Sequence, residues 1–327
     1  MDAACDGRAL PRRMLHLARL SNVSDTPSAE SSLLAPRHWP TWAALGALRA
    51  VTWLPFPVAL AIGRALGNIA YWLAPRRRRI ARINIDLCFP ERDARERQVL
   101  VRRHFASIGM GVIETAMSWW APTEKILRQV EWAGLEHFEA ARAQGQGVML
   151  VGAHFTDLEI AGQPLAARMD LHVMYRPHEN PVIERAMSAS RTRRYGKAIP
   201  RHDTRGLLRS LREKHVVWYA SDQNYGHKGS VFAPFFGIPA ATNTSTSRIA
   251  RLTGAPVVPF FSARLPGSSR YLLEFQPVLD DFPSDDVGAD ATRINGLIEG
   301  FARRFPEQYL WVNRRFKDRP DDGPRFY

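Results

Sequence analysis

From residue 84 onward, short apolar runs alternate with stretches whose apolar residues recur every three or four positions. The runs GVMLVGA (147–153), LHVMYR (171–176), HVVWYAS (215–221), PVVPFFSA (256–263), RYLLEFQ (270–276) and QYLWVN (308–313) read as strands. Helical spacing covers roughly 91–118, 134–143, 157–168, 182–194, 204–213, 243–253 and 290–304. Near-continuous apolar strands separated by helices predict an α/β domain with a largely parallel sheet. No internal repeat, heptad or low-complexity tract interrupts it.

The first 83 residues follow other rules. Residues 1–37, with LSNVSDTPSAESS beside PRRMLHLARL, lack a secretory apolar core and read as a disordered extension. Pro40 to Gly63 is apolar except for Arg49, and a second apolar patch runs to IAYWLA before PRRRRIAR. The length suits a bilayer core, but PFP at 55–57 and Arg49 divide it into two half-length pieces. An interfacial hairpin or kinked helix over 38–75 follows, the alternative being a pair of buried core helices. Trp39, Trp42, Trp53 and Trp72 suit a headgroup boundary, and Arg76 to Arg79 with Arg82 suit an anionic cytoplasmic leaflet. Arg12, Arg13, Arg19 and Arg37 flank the other side, so charge alone leaves the orientation open. One α/β domain over 76–327 completes the count.

Composition sharpens this in two ways. Lys+Arg 45 against Asp+Glu 32 gives a net charge of +13, with only five lysines, so the positive charge is almost all arginine. Arginine's planar fork suits phosphate or carboxylate, although a coding bias toward arginine would produce the same count. Cys5 and Cys88 lie far apart with no metal spacing, which points to a reducing compartment and no structural zinc.

In open α/β sheets, ligands bind beyond the carboxyl ends of the strands, so the polar residues ending each run are the candidates. GVMLVGA ends at His154, LHVMYR at Arg176 before PHENP, and HVVWYAS at Asp222 and Gln223. In HFTDLE (154–159), five helical residues would separate His154 from Glu159 by about 140° on the wheel, so the two meet only if His154 sits in a turn before the helix. T-x-x-E at 156–159 fits a capping box starting such a helix at Thr156, and the cap and an acid/base pair then share one geometry. A cap needs no histidine at the end of a buried strand. A neutral imidazole steadied by a carboxylate can take a proton from a hydroxyl. G-x-S-x-G, Walker A, complete G-x-G-x-x-G and H-E-x-x-H patterns are absent, which removes the usual signatures of serine, nucleotide and zinc chemistry.

HFTDLE matches the H-x-x-x-x-[DE] signature of glycerolipid-type acyltransferases. With YRPHENP (175–181), VVWYASDQNYG (216–226), VFAPFFGIPAAT (231–242) and PEQYLWVNRRFKDRP (306–320), the chain resembles the late acyltransferases of bacterial lipid A biosynthesis, especially those acting on Kdo-lipid IVA. LCFPE (87–91) and GMGVIETAMSWW (109–120) extend the likeness, which runs from about Pro36 to the C-terminus. The resemblance implies a glycerolipid-acyltransferase-like layered αβα domain at the bacterial inner membrane, catalytic side facing the cytoplasm. It implies an acyl chain passed from acyl carrier protein to a hydroxyl of a lipid A precursor, forming an acyloxyacyl ester, with no metal and no cofactor beyond the acyl donor. By motif, His154 is the general base, Glu159 its partner and Arg191 a functional arginine; Arg176, Asn180, Asp222 and Gln223 fall among substrate-lining positions. Asn313 stands where the family block usually carries His, and residues before about 36 have no counterpart, with Met14 an alternative start.

The partners implied are acyl carrier protein, the lipid A precursor and membrane lipids. Residues 76–103 hold ten Arg against four Asp or Glu, a rim suited equally to acidic carrier protein or anionic lipid. Another lipid acceptor, such as a lysophospholipid or an ornithine lipid, remains a rival. A non-catalytic binder of anionic membrane or nucleic acid is a third reading; no aromatic-basic repeat supports nucleic acid, and none is expected as partner.

Overall fold

The computed structural model describes residues 33–224, 226, 229–320 and 323–327. Cys5, Met14 and most of the expected extension fall outside them. The chain divides into Met1–Trp39, with a 3-10 turn at Pro36–His38, and a second unit, Pro40–Tyr327, described next.

Helices α1 (Trp39–Val51), α2 (Phe56–Leu73), α3 (Pro75–Cys88), α4 (Ala94–Trp120) and the short α5 (Thr123–Leu127) precede the sheet. Then follow β1 (Val130–Ala133), α6 (Leu135–Ala143), β2 (Val148–Gly152), α7 (Leu158–Arg168), β3 (Leu171–Tyr175) and α8 (Pro181–Arg194). The remainder is β4 (Lys197–Pro200), α9 (Thr204–Arg212), β5 (Val216–Ala220), the hairpin β6 (Ser230–Phe235) and β7 (Ile238–Asn243), α10 (Ser245–Thr253), β8 (Val257–Arg264), β9 (Tyr271–Phe275) and α11 (Val287–Arg304).

Every residue of β2 and β8 is buried, as a continuous apolar run requires when both sheet faces are covered. Strand alternation sends Met149 and Val151 into one core with Phe105, Leu207 and Phe301, and Val148 and Leu150 into another with Phe56, Ile113 and Ile160. The result is helices on both faces of a seven-stranded sheet ordered β1-β9-β8-β2-β5-β3-β4. Its neighbours pair in parallel except β8 with β9. A chain that leaves β2 for β3 and β4, returns to β5 beside β2, and then adds β8 on β2's other side opens its crevice around the end of β2.

One expected strand is not a strand. QYLWVN buries Tyr309 and Trp311 alternately, which mimics strand patterning. Its backbone instead makes a single antiparallel bridge, Tyr309 to Phe155, and local turns such as Asn313 N–H to Leu310 O at 3.2 Å. The short β1 and β4 and the β6–β7 hairpin were not anticipated. The hairpin turns through Phe236 and Gly237 at φ of 52° and 73°, and Phe236 tolerates this because its ring is buried against Phe89 and Trp311.

The apolar segment expected over 38–75 forms α1 and α2, broken at Pro55. Helix α2 is the one described helix long and apolar enough to cross a membrane, and a third of it is buried. Gly63 and Gly67 let its backbone close onto α4: a Cβ at Gly67 would lie 2.1 Å from Phe105 O, and one at Gly109 2.1 Å from Gly63 O. The outward face carries exposed Val58, Leu66, Ile69, Trp72 and Leu73, an inverted pattern for a water-facing helix. The capping box is real but elsewhere, at the start of α4, where Asp93 accepts from Glu96 N–H at 2.7 Å and Glu96 accepts from Asp93 N–H at 3.0 Å.

Gly109→Val should lower unfolding stability by about 3 kcal/mol or more in a chemical melt, since backbone blocks the new side chain. Gly46→Ala, where a Cβ meets nothing within 4 Å, should leave stability equal or slightly higher. Equal melts for Gly109→Val and wild type would refute the close approach.

Candidate active site

The register between β2 and β5 decides the site. Gly152 pairs with Ala220, so two residues further on His154 and Asp222 leave neighbouring parallel strands side by side. One carboxylate then takes both of the histidine's nearby donors: His154 N–H reaches Asp222 Oδ2 at 3.1 Å, and His154 Nδ1 stands 2.6 Å from Asp222 Oδ1. Because a carboxylate only accepts, Nδ1 carries the proton and Nε2 is left as the basic nitrogen. Gln223 places its amide nitrogen 3.2 Å from Nε2, and Trp218 sets its ring edge-on to the imidazole.

Asp222 is buried, its side chain only 2% exposed against 24% for His154, so the acid is sealed and the base reaches the pocket. Burial pushes the Asp222 carboxyl up, yet the His154 charge and hydrogen bonds, with Arg315 behind, hold it below its usual value. Burial likewise pushes His154 down, but Asp222 outweighs it and leaves the imidazole pKa raised. The buried Tyr309 phenol stands beside the same carboxylate, its own pKa driven well up, chiefly by burial.

The turn that presents His154 is clamped from the C-terminal segment. Leu310 N–H donates to His154 O at 3.0 Å and Thr156 N–H to Gln308 O at 2.9 Å. Gln308 in turn closes a two-way bond with the Arg264 main chain, at 2.8 and 2.9 Å. Helix α4 passes so near that a Cβ at Gly111 would lie 2.3 Å from Thr156 O, which accounts for a glycine there.

The expected helix cap is overturned. Asp157, not Thr156, takes the N-cap position of α7, and it makes no side-chain cap bond. The Thr156 hydroxyl is occupied by Ser107 Oγ at 2.6 Å and by the Arg264 guanidinium. Arg264, itself buried, is held by Glu114, 3.2 Å from its Nε. Burial raises the Glu114 pKa to about 7 against the pull of Arg264, and raises Asp157 despite Arg264 and Ser262.

Nor does Glu159 hold the imidazole. It sits in the first turn of α7 and pairs with Arg191 of α8, whose guanidinium lies 5.2 Å from the centre of the Tyr175 ring. Glu159, Arg191 and Arg176 nevertheless line the same cavity as His154, a slot of about 210 Å³ whose inner walls are Leu165, Leu171, Val173 and Phe260. A wider basin of about 680 Å³ opens on the other side of His154, with Arg176, Arg201, His202, Gln223 and Arg248 on its walls. Arg176 is exposed and bonded to Glu179 at 2.8 Å. Asn180 is spent elsewhere: its carbonyl caps α8 by accepting from Val182 N–H at 3.0 Å and its amide reaches Thr41 Oγ1 at 3.2 Å. Asn313 contributes its main-chain carbonyl to Asn84 at 2.7 Å and does not line either cavity.

Among the described residues, the cluster with cation-ligating spacing is Asp170, His172 and His215. It sits where β3 and β5 begin, the far end of the sheet from His154. Sequence spacing missed the Asp222 bond because the partner lies on an adjacent strand; the signal available was that both residues end apolar runs.

A parallel-sheet α/β domain that sets an acid-held imidazole at the mouth of an apolar slot has the layout of a site for a substrate with an extended apolar part. A sequence profile described as bacterial lipid A biosynthesis acyltransferase matches residues 26–318, and the chain belongs to that family. Membership makes it an acyltransferase of lipid A biosynthesis. It is 39% identical to the lipid A biosynthesis lauroyltransferase of Escherichia coli (strain K12) over 306 residues, 93% of this chain and 100% of that one. It is 39% identical to the palmitoleoyltransferase of the same organism over 88% of this chain and 94% of the relative, and 30% identical to the myristoyltransferase over 91% and 93%. A solved 1-acyl-sn-glycerophosphate acyltransferase, PlsC from Thermotoga maritima, aligns over 76% of this chain and 98% of that one at a TM-score of 0.38 and 11% identity.

A raised imidazole pKa stabilises the fold below its ordinary value of 6.5, and the gain fades as pH climbs through the raised value. A lowered carboxylate pKa stabilises above its ordinary 3.8, and that gain fades as pH falls. The pair therefore contributes most between about pH 4 and 6.5, and its contribution fades as pH climbs on through the raised histidine value. Asp222→Asn should cost roughly 1 to 3 kcal/mol near pH 6 and less near pH 9, read from melts across pH. A loss independent of pH would contradict the pairing.

Proposed function

We propose that the protein transfers a fatty acyl group from acyl carrier protein to a hydroxyl of a Kdo-lipid IVA type lipid A precursor, with His154 as general base. The observation that carries this reading is the two-point grip of Asp222 on His154, which leaves Nε2 basic and facing the cavity. The acceptor hydroxyl displaces the Gln223 amide from Nε2, gives its proton to that nitrogen, and its oxygen attacks the thioester carbonyl. The resulting imidazolium, stabilised by Asp222, returns the proton to the departing thiolate. Oxygen gains the acyl carbon, sulfur loses it, and no covalent acyl-enzyme is required.

The slot beyond His154 has the lining of an acyl-chain site, since Leu165, Leu171, Val173 and Phe260 offer it no polar group. The Glu159–Arg191 pair forms one wall of its mouth, and the ion pair keeps the Arg191 guanidinium fixed where the thioester passes. Arg176, Arg201 and Arg248 in the adjoining basin suit the phosphate and carboxylate groups of a glycolipid acceptor. The exposed apolar face of α2 and the arginines from Arg76 onward support a place on the cytoplasmic side of the inner membrane, where both substrates carry their chains. The membrane segment and the α/β domain assigned from sequence remain part of this proposal, and Pro40–Tyr327 is one compact unit.

His154→Ala with an intact fold should abolish transfer in an assay with acyl carrier protein thioester and lipid A precursor, and Asp222→Asn should lower kcat by roughly 10²- to 10⁴-fold. Near-normal turnover in His154→Ala would remove the mechanism. Val173→Phe, which fills the slot, should move donor preference toward shorter chains when thioesters of graded length compete. An unchanged preference would place the chain elsewhere.

A further inference from the structure

A third cavity, a cleft of about 1130 Å³, lies between α2, α4 and the loop joining β8 to β9. Five arginines line it, Arg64, Arg102, Arg103, Arg264 and Arg270, against one carboxylate, Glu307. Three of the five are committed: Arg264 to Glu114, Arg270 to Glu131 at 2.8 Å, and Arg102 over the Tyr71 ring. Arg64 and Arg103 have no ion-pair partner among the described residues, although both line a concavity where their charges reinforce one another. Two unpaired like charges beside a single carboxylate, Glu307, leave the cleft net positive and attractive to an anion.

The helix geometry says what kind of anion. Pro57, Ala61, Arg64 and Asn68 follow one another at four-, three- and four-residue steps and form the α2 stripe facing the cleft. One step round the same helix, Val58, Ile69 and Trp72 form the exposed apolar stripe. A molecule with a negative head and apolar tails would satisfy both at once, the head among the arginines and the tails along the outer face. An acidic protein would need a broad accessible surface, not a recess beside an apolar helix.

We propose that this cleft binds the phosphate-bearing headgroup of a membrane lipid, at a site separate from the cavities around His154. The floor of the cleft is Arg264, whose guanidinium also holds the Thr156 hydroxyl in the turn carrying His154. A bound headgroup thus rests one side chain from that turn, and fixes the protein on the bilayer with the turn beside it.

Vesicle flotation tests this with phosphatidylcholine alone and with phosphatidylcholine containing about a tenth phosphatidic acid, using the full chain. Arg64→Gln with Arg103→Gln, both surface changes, should weaken binding to the phosphatidic acid vesicles roughly tenfold or more and leave binding to neutral vesicles unchanged. Arg205→Gln with Arg209→Gln removes the same charge from α9 and should stay close to wild type. His154→Ala should also bind as wild type, which separates this site from the catalytic reading. Equal weakening by both arginine pairs would mean diffuse charge attraction, and no weakening by the cleft pair would mean another occupant such as an acidic protein. Full displacement by inorganic phosphate at matched concentration would mean a free-phosphate site. Each of the three overturns the proposal.

Discussion

One carboxylate gripping one histidine at two points sets the rest of the site. Asp222 reaches the main-chain N–H and the ring Nδ1 of His154 together, at 3.1 and 2.6 Å, and so fixes both where the ring is and which nitrogen is basic. This needs β2 and β5 to be adjacent, parallel and in the observed register, because slipping by one residue would turn one of the pair to the opposite sheet face. Burying an acid is costly, and the charge and hydrogen bonds of His154, with Arg315 behind and the Tyr309 phenol beside the carboxylate, offset that cost.

The turn between β2 and α7 divides two charged systems. On one side His154 and Asp222 face the cavities. On the other, Thr156 and Asp157 meet Arg264, Glu114 and Ser107, all buried. Burial raises the Glu114 pKa to about 7 while Arg264 pulls it down, so burial and the ion pair oppose one another there. Around both, the C-terminal segment supplies main-chain bonds from Gln308 and Leu310. That segment and α4 therefore hold the turn carrying His154 in place.

Much of this was legible in order along the chain. Helix spacing located α4 and the later amphipathic helices within a few residues, and apolar runs located β2, β3, β5, β8 and β9, because burial on both faces leaves so plain a signal. QYLWVN misled because alternate burial of Tyr309 and Trp311 is also what a segment wedged into an aromatic cluster shows. The rim residues His154, Arg176 and Asp222 were recognisable as strand ends. Which acid serves His154 was not, since Glu159 is near in sequence while Asp222 is near only through strand order. Asn180, placed by the resemblance among substrate-lining positions, caps α8, with Pro181 at the helix's first position.

The central claim, that Asp222 and not Glu159 governs the imidazole, is most directly tested by nitrogen NMR of histidine-labelled protein, following the His154 ring nitrogens through a pH titration in wild type, Asp222→Asn and Glu159→Gln. The account predicts a proton on Nδ1 and a raised pKa in wild type, both retained in Glu159→Gln and both lost in Asp222→Asn. Retention in Asp222→Asn with loss in Glu159→Gln would contradict it.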